Sequence, residues 1–95
     1  MPNSLHSDQY KRLLEILRET REQCGYTQMA LAEALGVDQA YVSKSERGVR
    51  RLDVIELRNW VSALGIPFNA FAKRVDTELE HVQSVEKRLG LGRRR

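Results

Sequence analysis

The stretch Gln28–Arg47, QMALAEALGVDQAYVSKSER, decides how this chain folds. Counting Gln28 as position 1, apolar side chains fall at positions 4, 8, 10 and 15, which are Leu31, Leu35, Val37 and Val42. These are the inward positions of two short helices packed at a steep angle across a tight turn. The fifth position must be small because the second helix crosses close to it, and it is Ala32. The ninth must accept a positive φ where the first helix ends, and it is Gly36. Such spacing is that of a helix-turn-helix unit, whose second helix enters the major groove of DNA. One position departs from the pattern: the eighteenth usually gives the core a large apolar side chain, and here it is Ser45. Either a gap in the packing or a hydroxyl bonded back to a helix carbonyl is expected there.

At 95 residues the chain is one domain, large enough for a small helical core but too small for a sensor domain as well. A formal net charge of +3 and a pI near 9.4 permit nucleic acid as a partner without demanding it. The distribution says more, since residues 44 to 51 hold Lys44, Arg47, Arg50 and Arg51 against the single acid Glu46, and Arg93, Arg94 and Arg95 close the chain. A single cysteine, Cys24, excludes an internal disulfide and any multi-cysteine zinc site, and reads as a small half-buried side chain at a helix end. His6 and His81 stand without a second ligand at metal spacing, so no metal is expected. No stretch resembles a signal peptide or approaches the roughly 18 apolar residues of a membrane span, and the expected location is the cytoplasm.

Helix start and stop signals punctuate the rest. Residues 1–6 read as a frayed arm, and Ser7 as the N-cap of a first helix to about residue 24, with Tyr10, Leu13, Leu14 and Leu17 as its apolar stripe. Gly25 ends it. Thr27 then caps a second helix, about 28–35, and Asp38 a third, about 39–46, which Gly48 stops. After a basic loop, Asp53 caps a fourth helix to about Leu64, with Val54, Leu57, Trp60, Val61 and Leu64 at helical spacing. Gly65 ends that helix, and Pro67 takes the first position of a fifth. Trp60 and Phe68 read as core, not as a stacking platform, because they share this spacing with Val61, Leu64 and Phe71.

From Pro67 onward the apolar pattern is long. Phe68, Val75, Val82 and Leu89 recur every seven residues, with Phe71 and Val85 three further on in two of the heptads. Glu78 interrupts that seam and Leu79 lies beside it. One continuous helix over 67–89 and two helices broken near Asp76 and Thr77 both fit. The division expected is a domain at 7–74, a helical extension at 75–90 that dimerises through Val75, Leu79, Val82, Val85 and Leu89, and a basic tail at 91–95. A partner chain packed on that stripe removes it from water.

Arg21, Gly25, Thr27, Gln28, Leu31-Ala32, Leu35-Gly36-Val37, Val42-Ser43, Glu46 and Gly48 together resemble the Xre family of bacterial and phage repressors, which includes Cro and the lambdoid repressors. The resemblance spans residues 10 to about 72. It implies an all-α fold, a compact five-helix repressor-like DNA-binding bundle, to which the heptad pattern adds a last helix extended for dimerisation. It also implies a homodimer on a palindromic operator.

Position by position, the resemblance makes Gln28 the residue that holds a phosphate and braces the first reading side chain. Gln39, Ala40, Ser43 and Lys44 match the outward positions of the recognition helix, and Tyr41 a position that touches backbone or base. The chemistry agrees: a Gln amide pairs with adenine N6 and N7, a lysine donates to guanine O6 and N7, and an alanine packs on a thymine methyl. Thr27 and Gln28, at a helix N-terminus, and Arg47, Arg50 and Arg51, in the loop after the reading helix, are the expected phosphate contacts. The family pairs the residues at Arg21 and Glu46 as a partly buried ion pair between the first and third helices, whose disruption should cost about 3 to 5 kcal/mol.

The leading function is therefore a sequence-specific transcriptional regulator, a repressor or autoregulator, on double-stranded DNA. A second function fits the same residues: an antitoxin that binds a toxin through its fifth helix and tail and represses its own operon. No nucleophile–base arrangement and no glycine-rich phosphate loop is present, so no enzyme, no cofactor and no small-molecule partner is expected.

Overall fold

A computed structural model describes residues 7–88, and side chains as far as Val82. The arm at 1–6, Leu89 and the tail at 91–95 lie outside the described residues, as does the side chain of Val85. Five helices follow in order: α1 Asp8–Gln23, α2 Gln28–Leu35, α3 Gln39–Glu46, α4 Val54–Ala63 and α5 Phe68–Arg88. No strand occurs among the described residues.

Each of the first four helices starts on a side-chain cap. Ser7 Oγ accepts from Tyr10 N at 3.0 Å, Thr27 Oγ1 from Ala30 N at 3.0 Å, and Asp38 Oδ1 from Tyr41 N at 3.0 Å. Asp53 and Glu56 form a reciprocal capping box at the start of α4. Each also ends on the same device, in which the amide directly after a glycine reaches back to a carbonyl five residues earlier. At α2 this is Val37 N donating to Ala32 O at 3.0 Å across Gly36, whose φ of 73° a side-chain-bearing residue adopts only with strain. Pro67 stands one residue outside its expected position: its carbonyl accepts from Ala70 N and Phe71 N, so it precedes the first turn of α5 instead of opening it.

The core is built of Ile16, Leu17, Leu31, Ala32, Val42, Trp60, Val61, Leu64 and Phe71. Ile16 is buried although it lies beside the stripe expected on α1, because α1 packs against both α3 and α5 and so buries a wider arc. Leu35, Val37 and Leu57 are only half-buried at the edge of this core. Ser45 is fully buried, and its hydroxyl has no hydrogen-bond partner among the described residues. The back-bond to a helix carbonyl is instead made on α1, where Thr20 Oγ1 donates to Ile16 O at 2.7 Å.

The fifth helix is one continuous element, without a break at Asp76 and Thr77. Polar contacts tie it to α1. Glu78 Oε1 accepts from Arg12 Nη2 at 2.9 Å and Nε at 3.3 Å, Arg74 Nη2 donates to Glu19 Oε1 at 2.7 Å, and Gln9 Nε2 donates to the Leu79 carbonyl at 3.4 Å. Glu78 interrupts the heptad seam because it faces α1, and Arg12 holds its carboxyl below the usual glutamate range. No helix among the described residues is long and apolar enough to cross a membrane.

Candidate nucleic-acid interface

A hydrogen-bonded chain runs from the interior to the outer face of α3. At its root Arg21 Nε donates to Glu46 Oε2 at 2.6 Å and Nη2 to Oε1 at 3.1 Å, while Nη1 donates to the Tyr26 carbonyl at 2.7 Å. The two side chains are 8% and 4% exposed, so this is a forked, nearly dry pair joining α1 to α3. Glu46 Oε1 accepts a further bond from Gln28 Nε2 at 3.0 Å, and Gln28 Oε1 in turn accepts from Gln39 Nε2 at 3.4 Å. Gln39 thus keeps its amide oxygen and one N–H free, which are the two groups a Gln offers to adenine.

Gln39, Ala40, Lys44 and Arg47 are exposed and Ser43 is half-buried, so these residues share one side of α3. Ser43 Oγ accepts from Arg47 Nε at 3.4 Å, one turn on. Tyr41 sits differently. Its ring is half-buried, 6.5 Å from the Trp60 ring at a 32° tilt, and Arg50 lies 4.3 Å from its centroid. Burial pushes its phenol up from the ordinary tyrosine value, and the nearby Glu56 charge adds to that shift.

The three loop arginines are unlike one another. Arg50 Nη2 and Nη1 lie 2.5 and 3.2 Å from the two oxygens of Glu56, whose Oε1 also accepts from Asp53 N at 3.0 Å. Both bonds hold the Glu56 carboxyl below the usual range, the arginine the more strongly. Arg51 stacks over Tyr10 at 4.3 Å, whose hydroxyl accepts from Leu52 N at 3.4 Å. Arg47 and Arg51 pair with no carboxylate among the described residues. Thr27 caps α2 with its oxygen and keeps its hydroxyl proton for another acceptor.

Reading by pattern missed Glu56. The only signal it carries in sequence is Asp53-x-x-Glu56, which announces a cap and not an arginine partner. The α5 residues expected to dimerise are split: Val75 and Leu79, with Leu57, Phe68 and Phe71, line an open apolar groove of about 270 Å³, and Val82 is half-buried. No cluster of metal-ligating side chains occurs among the described residues, and Cys24 is half-buried against the core.

Comparison with known proteins agrees with this geometry. A helix-turn-helix family model matches residues 17–71, more than half of the chain. An XRE-family like protein from Pseudomonas syringae pv. tomato str. DC3000 is similar at a TM-score of 0.72 and 37% identity, over 79% of this chain and 92% of that one. No curated protein sequence matches. The matched region contains the whole hydrogen-bonded chain from Arg21 to Gln39 and the exposed side of α3, and the chain belongs to the Xre family of helix-turn-helix DNA-binding transcription regulators.

Proposed function

We propose that this regulator binds a palindromic operator as a homodimer, with α3 in the major groove, and acts as a repressor or autoregulator by occupying its promoter. Gln39, Ala40, Ser43 and Lys44 read base edges; Thr27, Gln28, Arg47 and Arg51 hold the phosphates. Tyr41 supports the reading helix from behind, because its ring is taken up by Trp60 and Arg50. The observation that carries this reading is the bond from Gln39 through Gln28 to the buried Arg21–Glu46 pair. Side chains with several rotors seldom hold a fixed pose at a surface without such support, and pre-ordering lowers the entropy lost on binding.

Dimerisation through Val75, Leu79, Val82, Val85 and Leu89 is supported by the apolar groove that the first two line. In such a dimer two copies of α3 face successive major grooves about one helical turn, roughly 34 Å, apart. Selection of bound duplex from a random library tests the reading as a whole. An inverted repeat is expected, with Lys44→Ala relaxing the preference at one base of each half-site. Equal affinity for selected and random duplex refutes it.

A further inference from the structure

We propose that Glu56 is an internal counter-anion that withholds Arg50 from the DNA backbone, leaving Arg47 and Arg51 as the loop's phosphate contacts. The inference rests on the DNA-binding reading above and deepens it. Both terminal nitrogens of Arg50 are committed to the two oxygens of one carboxylate, which is the forked geometry a phosphate would need to take over. One face of the guanidinium is further occupied by the Tyr41 ring. Glu56 cannot follow Arg50 outward, because its Oε1 also accepts the Asp53 amide that starts α4. Moving Arg50 to a phosphate therefore breaks two charge-assisted bonds and leaves the carboxylate facing a polyanion.

The neighbouring arginines serve as internal controls. Among the described residues, Arg51 is equally stacked on a tyrosine but has no carboxylate, and Arg47 is held only by the Ser43 hydroxyl. A cation paired inside the protein releases no counterion from DNA, whereas each phosphate it neutralises contributes about 0.9 to the slope of log affinity against log salt.

Affinity for one duplex, measured from 50 to 200 mM salt, separates the cases. Arg51→Gln should flatten the slope by about 0.9 per bound chain, so that its deficit shrinks about threefold over that range. Arg50→Gln alone bares the Glu56 carboxylate toward the DNA, so the double variant Arg50→Gln with Glu56→Gln, which bares no charge, is the one that should leave the slope where it was. Glu56→Gln keeps an oxygen for the Asp53 amide but loses the charge. It should therefore steepen the slope by about 0.9 per chain, and Arg50→Gln added to it should remove the gain.

A flatter slope for that double variant than for the unchanged chain, or an unchanged one for Glu56→Gln, overturns the proposal. Circular dichroism in the same buffer verifies folding, and Glu56→Gln alone decides the matter should the double variant not fold. Absence of salt-sensitive binding by the unchanged chain would instead remove the DNA-binding reading, and this inference with it.

Discussion

Replacing Arg21 by Met leaves Glu46 as a carboxylate only 4% exposed, with Gln28 as its remaining side-chain donor. An uncompensated buried charge of this kind costs about 3 to 5 kcal/mol. A domain of this length is stable by only about 5 to 14 kcal/mol, at roughly 0.05 to 0.15 kcal/mol per residue. The variant therefore loses between about a fifth and nearly all of its stability, and its melting temperature falls by at least about 12 °C. Glu46→Leu should also destabilise, though by less, since the Arg21 guanidinium keeps the Tyr26 carbonyl at 2.7 Å and lies 3.9 Å from Glu22. The double variant Arg21→Met with Glu46→Leu strands neither charge and should return to within about 2 kcal/mol of the unchanged chain.

Urea unfolding followed by the fluorescence of Trp60, the single tryptophan and fully buried, measures all four proteins. The refolded double variant should still bind operator poorly, because Gln28 has lost the acceptor that orients it and Gln39 loses its brace in turn. Single variants within about 1 kcal/mol of the unchanged chain, or a double variant as unstable as the sum of the singles, would refute the reasoning.

Acidification should destabilise the fold through Glu56 and Glu78, whose carboxyls titrate below the ordinary range when folded. Between the depressed folded values and the ordinary one the unfolded chain binds more protons, so stability rises with pH there, is complete above it and is lost below. Urea midpoints across this window should show a shallower acid limb for Glu56→Gln and Glu78→Gln than for the unchanged chain. Ser45→Ala removes a buried hydroxyl that has no partner among the described residues and improves helix propensity by about 0.5 kcal/mol. Thermal melts should find it as stable or more so, and a drop of several degrees would mean the hydroxyl is bonded. Gly48→Ala should cost more than Gly36→Ala in the same melts. Both have positive φ, worth about 1 to 2 kcal/mol, but a Cβ at Gly48 would also meet Leu14 Cδ1 at 3.3 Å while one at Gly36 meets nothing within 4 Å.

Much of the fold is legible in sequence because its determinants are local. Ser7, Thr27, Asp38 and Asp53 each cap an amide three residues on, and a glycine just beyond each of the first four helices accepts the left-handed turn. Periodicity likewise marks Leu31, Val42, Trp60 and Val61, all of which the tertiary packing buries. The spacing on α3 brings Gln39, Ala40, Ser43 and Lys44 to one side, since a helix turns through the same angle wherever it is placed.

By itself, then, the sequence determined the first four helices, their ends, and the unit that turns α3 outward, while one helix or two after Pro67 fitted it equally. Only the tertiary structure decided which polar groups are free to act. Arg50 and Arg51 are adjacent and chemically identical, yet among the described residues one meets a carboxylate and the other does not, because the loop path and the start of α4 bring Glu56 to Arg50 alone. Glu78 breaks a heptad in one dimension and closes an ion pair with Arg12 in three, across 66 positions of chain. Tyr41 lies between Ala40 and Ser43 in sequence, but its ring packs 6.5 Å from that of Trp60 on α4. Charge pairing and ring packing depend on how helices cross, which no short stretch of sequence encodes.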